Sequence, residues 1–252
     1  MKRDIEKVLA SWKGDGNRKP LLIRGARQVG KTFTVMKFGR EHFERVLEIN
    51  FERQPEMQRV FEKPDPGGIL RTLEVLTGQR LEAGKSLLFL DEIQRCPAAI
   101  TALRYLREQL PAQHVLAAGS LVDFCLRAPG LSMPVGRIQY LFMTPLTFEE
   151  FLEAMGLASL RGYLGQARLR DGIDAAIHEE LIRHLRTFLL VGGMPEAIQV
   201  YLNGNSLVDV GRVQASLLQT YRDDFGKYAG LARFEQLQKM FLAAPALVGQ
   251  RF

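Results

Sequence analysis

The chain has 252 residues, 46% hydrophobic and 25% charged, with a formal net charge of +6 and two cysteines. This composition excludes a wholly disordered, collagen-like or coiled-coil chain, and the length suits one large α/β domain plus a smaller one. Cys96 and Cys125 make no CxxC pair, no run approaches the roughly 18 apolar residues of a membrane span, and the mixed-charge start Met1-Lys2-Arg3-Asp4 leads into no long apolar stretch, so a cytoplasmic protein without membrane partners is expected.

In chain order, residues 4–12 read as a short amphipathic helix, and Lys13-Gly14-Asp15-Gly16-Asn17 as a turn. Residues 20–23 form a buried strand, 32–44 a helix and 46–51 a second strand. The stretch 54–85 is helical but broken at Pro64-Asp65-Pro66-Gly67-Gly68. The wholly apolar Leu87-Leu88-Phe89-Leu90 predicts a central parallel strand. A helix over 97–110 starts at a proline, where the missing N–H costs least. Strands follow at 115–118 and 138–142. This alternation predicts a parallel five-stranded sheet with helices on both faces. Thr147-Phe148-Glu149-Glu150 is a capping-box pattern, and the chain beyond it is nearly all helix, near 174–186, 195–202, 206–222 and 231–243. The boundary of the core is expected at about residue 155.

Gly25-Ala26-Arg27-Gln28-Val29-Gly30-Lys31-Thr32 is G-x-x-x-x-G-K-T, with a buried strand before it and a helix after it. Its glycines let successive N–H groups point at phosphate oxygens, and the helix start adds its positive dipole end. Lys31 should reach the outer phosphates, the Thr32 hydroxyl should ligate Mg²⁺, and the neighbouring Phe33 should border the nucleotide. A second glycine-lysine stretch, residues 78–86, has five residues between its glycines and precedes a strand, so it reads as a loop.

Asp91-Glu92 follows the apolar strand and so lies at its carboxyl end, the edge where parallel sheets bind ligands. Asp91 is expected to hold Mg²⁺, and Glu92 to act as general base on the attacking water. Ser120, after the fourth strand, can contact the terminal phosphate or cap a helix at 121–127. Arg137 is a candidate charge stabiliser, in cis or from a neighbouring copy. No guanine-reading N-K-x-D and no L-S-G-G-Q occur. Residues 1–60 carry 14 Lys+Arg against 8 Asp+Glu, while the remaining residues carry 20 of each. A basic surface, a polyphosphate site or a nucleic-acid patch would each account for that excess.

Five segments occur in order: residues 24–32, Leu90-Asp91-Glu92-Ile93-Gln94, Ala118-Gly119-Ser120, Gly136-Arg137 with Pro145-Leu146-Thr147-Phe148-Glu149-Glu150-Phe151, and Gly192-Gly193-Met194-Pro195-Glu196. Together they resemble a family of prokaryotic AAA-type ATP-binding proteins related to origin-recognition-type P-loop ATPases. The resemblance implies a RecA-like core over residues 1–155, with the strand of Ser120 between those of the phosphate loop and Asp91. It implies a helical lid over 156–230 and the start of a winged helix over 231–252, which in the family leads to a restriction-endonuclease-like domain. ATP is the implied nucleotide, with hydrolysis coupled to lid movement. The alternative is a slow or non-hydrolysing nucleotide-dependent switch or DNA-associated scaffold. A homo-oligomer fits either reading. Two glycines and a proline at 192–195 make a sharp break between helices, suited to a hinge.

Overall fold

The computed structural model describes residues 1–120, 136–168, 170, 172–228 and 231–248. The expected helix at 121–127 lies outside them. Two compact units are present, Met1–His178 and Glu179–Phe252.

In the first unit, strands β1 (Leu21–Arg24), β2 (Arg45–Asn50), β3 (Ser86–Asp91), β4 (His114–Gly119) and β5 (Gln139–Phe142) build one sheet in the order β2-β3-β4-β1-β5. Every pairing is parallel, so all five strands end at one edge. Helices α1 (Ile5–Gly14), α2 (Lys31–His42), α3 (Pro66–Thr77) and α4 (Pro97–Gln109) connect and cover them. The central strands are buried along their whole length, as strands covered on both faces must be. Leu22, Ile49, Leu88 and Leu90 pack on Leu73 of α3 and on Ile100 and Leu103 of α4 in one core. Part of the stretch expected as helix before Pro64 is a 3-10 helix, Pro55–Phe61, whose Phe61 meets Phe51 edge-on at 5.4 Å. The second glycine-lysine stretch is a turn ahead of β3, with no helix after its lysine.

Helices α5 (Phe148–Ala154) and α6 (Ala158–Gln166) close the first unit. Thr147 accepts from the Glu150 amide and Glu150 returns the bond to the Thr147 amide, so the capping box forms as expected. The compact unit extends to His178, past the expected core boundary near residue 155. Within this extension Arg161 of α6 reaches both oxygens of Asp4 at 2.6 Å and Glu153 at 3.3 Å.

The second unit is helical. α7 (Ala175–Val191) leads into it, followed by α8 (Pro195–Gly204), α9 (Leu207–Tyr228) and α10 (Leu231–Ala243). The break at 192–195 is present. Gly192 takes φ 75°, and Pro195 opens α8. The Gln214 amide donates to the carbonyls of Leu190 and Val191, which the end of α7 leaves unpaired.

Candidate functional site

Because the sheet is parallel, β1, β3 and β4 deliver Gly25, Glu92 and Ser120 to the same carboxyl edge. The loop after β1 is shaped by backbone that side chains would obstruct. A Cβ on Gly25 would lie 2.2 Å from the Met143 carbonyl oxygen. Gly30 takes φ 93° and ψ 23°, a left-handed conformation that suits glycine, and Gln28 takes φ 63°. α2 then begins at Lys31 with no side-chain cap and no acid in its first turn. Its first amides are thus left for an anion, and nothing negative competes for them.

Lys31 is 7% exposed and folds back on the loop, donating to the carbonyls of Gly25 at 3.0 Å and Ala26 at 2.8 Å. Burial pushes its ammonium below the usual lysine range. Glu92 and Asp91 oppose that shift, and Arg27 adds to it. The Thr32 hydroxyl donates to Asp91 Oδ2 at 2.9 Å. Phe33 is 64% exposed beside them. Val29 is fully buried and anchors the loop from below.

Asp91 is 2% exposed, and burial raises its carboxyl above the usual range against the pull of its hydrogen bonds. Oδ2 accepts from Thr32 and from the Asn50 amide at 3.0 Å; the Glu92 backbone amide also helps hold the carboxyl down, but Oδ1 makes no hydrogen bond of ordinary geometry. A buried carboxylate oxygen without such a bond is costly. With the Thr32 hydroxyl beside it, this donor set suits a hard divalent cation that keeps most of its waters. Among the described residues no cluster of three His, Cys, Asp or Glu side chains competes for a metal.

Glu92 takes φ 51°, a left-handed conformation rare for a non-glycine residue and concentrated at functional sites. Its Oε2 accepts from the Gln94 amide. Ser120 Oγ is buried just after β4 and has no hydrogen-bond partner among the described residues. Lys31, Thr32, Asp91, Glu92 and Ser120 are therefore gathered at one edge, with the loop residues Gly25, Ala26, Arg27, Gln28, Val29, Gly30 and Phe33 around them.

Arg137 is elsewhere. It precedes β5 and so sits at the amino edge of the sheet, where its Nε pairs with Glu108 Oε1 at 3.0 Å. Glu108 ends α4, which returns the chain to the start of β4, and this places the pair at the edge opposite the phosphate loop. The in-cis role expected for Arg137 is not met by this geometry. Two polar residues of the site carried no role in the sequence reading. Asn50 holds Asp91, and its position as the last residue of a strand parallel to β3 was a usable signal. Gln94 holds Glu92, and only its place two residues later hinted at that.

No helix among the described residues is long and apolar enough to cross a membrane. No curated relative matches the chain. Solved structures similar to it include the Drosophila ORC bound to DNA, at 16% identity and TM-score 0.43 over 98% of this chain and 67% of that one. DnaA from Aquifex aeolicus bound to AMPPCP matches at 13% identity and TM-score 0.42, over 94% of this chain and 75% of that one. The Aeropyrum pernix ORC1 protein in complex with DNA matches at 14% identity and TM-score 0.37, over 63% and 47%. A domain of unknown function, DUF8612, matches residues 182–252, nearly the whole second unit. The model of the AAA domain matches residues 17–152, more than half of the chain, and spans the phosphate loop, Asp91-Glu92 and Ser120. With a five-stranded parallel sheet and a phosphate loop at its carboxyl edge, the chain belongs to the AAA domain family of P-loop proteins.

Proposed function

We propose that this chain is an Mg²⁺-dependent ATPase that hydrolyses ATP to ADP and phosphate. The observation that carries the reading is the pairing of Thr32 Oγ1 with Asp91 Oδ2 beneath the loop, with Oδ1 of the same buried carboxylate left over. Thr32 and Asp91 would hold the cation, which would neutralise charge on the phosphates. The amides from Gly30 to Phe33 bind phosphate oxygens at the helix start. Lys31 leaves the carbonyls of Gly25 and Ala26 for a phosphate oxygen, a charge-assisted bond in place of two neutral ones. Glu92 takes the proton from the attacking water as its oxygen bonds to the terminal phosphorus and the bond to ADP breaks. Ser120 Oγ lies buried after the strand between those of the loop and of Asp91, without a partner among the described residues, which suits a donor to the terminal phosphate or the water. Lid movement by the part of the expected 156–230 lid that lies in the second unit, beyond His178, and a winged-helix start over 231–252, belong to the same proposal.

One observation favours a second reading, a slow or non-hydrolysing nucleotide-dependent switch. Lys31 bonds its own loop and Glu92 bonds Gln94, so both groups must be released before they act. A DNA-associated scaffold is the related form of that reading, motivated by the basic excess of residues 1–60. It predicts affinity for duplex DNA that falls steeply with salt.

The deciding experiment is steady-state phosphate release from Mg²⁺-ATP, on the parent chain and on Glu92→Gln, with and without duplex DNA. Turnover that disappears in the variant establishes the ATPase. Tight ATP binding without turnover in either protein establishes the switch. Equal turnover in both removes Glu92 as the base.

A further inference from the structure

The first residues of the chain reach the phosphate loop. Arg3 is 7% exposed, and its guanidinium makes three hydrogen bonds to two segments, the phosphate loop and residues 143–150. Nε donates to Glu150 Oε1 at 3.0 Å, Nη1 to the Val29 carbonyl at 3.0 Å, and Nη2 to the Thr144 carbonyl at 2.7 Å. Glu150 is itself 3% exposed and fully engaged. Its Oε1 also accepts from the Asp4 amide at 2.7 Å, and its Oε2 accepts from the Thr147 amide at 3.0 Å. A buried arginine with such a set of acceptors is held in one orientation, because the guanidinium fork is planar and rigid. Asp4, the next residue, is fastened separately by Arg161.

The Val29 carbonyl is the acceptor that matters for chemistry. Val29 and Gly30 share a trans peptide plane, in which C=O and N–H point in opposite directions. A bond that draws the Val29 oxygen away from the loop's mouth therefore turns the Gly30 N–H toward it. Gly30 also has a left-handed backbone and, as glycine, the freedom to rotate unless something holds it. Thr144 follows Met143, whose carbonyl fills the space left by the missing Cβ of Gly25. The 143–150 segment thus supports both ends of the loop, directly at Gly25 and through Arg3 at Val29.

We propose that Arg3, braced by Glu150, is a positioning residue of the nucleotide site, setting the Val29–Gly30 peptide so that the Gly30 amide faces phosphate. The inference rests on the ATP-binding reading above, but it concerns a residue that reading does not use. It also makes the start of the chain part of the site.

The test compares Arg3→Lys with Arg161→Ala on the full chain. Lysine keeps a charge for Glu150 but cannot span three acceptors. Arg161→Ala loosens Asp4 and leaves the Val29 bond intact. The readouts are ATP affinity from a fluorescent-nucleotide titration, the melting temperature without nucleotide, and hydrogen exchange of the 25–32 amides. Arg3→Lys is expected to weaken ATP about tenfold, the loss of much of one charge-assisted bond, alongside a lower melting temperature from the buried acceptors it leaves unmade. Its 25–32 amides should exchange faster. Arg161→Ala should lower the melting temperature and hold ATP affinity within about twofold. If affinity falls equally in both variants, in step with melting, Arg3 is an anchor of the fold and the proposal is overturned. If Arg3→Lys does not fold, Glu150→Gln replaces it, with about a threefold loss expected; full affinity there overturns the proposal. If the parent chain binds no ATP, the nucleotide reading fails by itself, and hydrogen exchange then decides: unchanged 25–32 amides in Arg3→Lys overturn the positioning role, and faster ones uphold it.

Discussion

The two edges of the one sheet differ in the titratable groups they bury. At the carboxyl edge Lys31 and Asp91 are both buried, and burial works against both charges, pushing the ammonium down and the carboxyl up. Their bonds run to Thr32, Asn50 and two loop carbonyls, and Asp91 Oδ1 is still left over. At the amino edge His114 starts β4 in T-shaped contact with Trp12 and Phe43, with ring centroids at 5.7 and 4.9 Å. There burial, helped by the charges of Arg18 and Lys13, lowers the imidazole to about 4. One edge thus retains charged groups that its own residues do not complete, the property of a site awaiting a charged ligand. The other edge keeps its buried imidazole neutral, which serves packing.

The largest expected effects break the carboxyl edge. Glu92→Gln should keep ATP binding and slow phosphate release by about 10²–10⁴-fold, the usual cost of a lost general base. Lys31→Ala should weaken ATP by on the order of 100-fold, read by titration, because a buried charge partner of the phosphates is gone. Without nucleotide, Lys31→Ala should melt no lower than the parent, since burial already disfavours that ammonium. A clear drop in melting temperature would mean that Lys31 serves the fold, and the contrast between the edges would weaken.

The amino edge should respond to pH. In the unfolded chain His114 titrates near 6.5, and in the folded chain near 4. Between those values the unfolded state binds the extra proton, so stability is full above pH 6.5 and falls as the pH drops toward 4. The size is ~3 kcal/mol at pH 4. Burial and the Arg183 charge lower His184 as well, which adds loss of the same sign in the second unit. Denaturant unfolding of the parent and of His114→Phe at pH 7 and pH 4.5 isolates the first term, because His184 is common to both. The variant should lose clearly less stability on acidification. Identical losses would show that the imidazole is as free to charge when folded as when unfolded.

Much of this arrangement could be read from the chain, and the exceptions have physical reasons. Leu87-Leu88-Phe89-Leu90 is apolar throughout because both faces of β3 are covered, so its strand and its central place were legible. The phosphate loop and Asp91-Glu92 were legible because each follows a strand, and a parallel sheet sends every strand end to one edge. Asn50 ends β2 and obeys the same rule, but it was absorbed into the strand as one more residue. Arg3 left no local trace. Its partners Val29, Thr144 and Glu150 lie 26, 141 and 147 residues away, and no periodicity or spacing records contacts of that separation.

Arg137 is the smallest expected effect and the most instructive. The residues before a strand of a parallel sheet lie at the amino edge, so Gly136-Arg137 ahead of β5 belongs opposite the phosphate loop. Four-residue strands span roughly 13 Å, and the Glu108 partner holds the guanidinium at that far edge. The pair is solvent-facing, with Arg137 54% exposed, so losing it should change stability by less than about 1 kcal/mol. Arg137→Ala should therefore leave ATP turnover within about twofold in dilute solution, where each chain works alone. A role in trans has a separate signature. Turnover per chain of the parent would rise with protein concentration, and the variant would lose that rise while keeping the dilute rate. A large loss at high dilution would instead require Arg137 to reach the phosphates of its own chain, against the direction in which β5 runs.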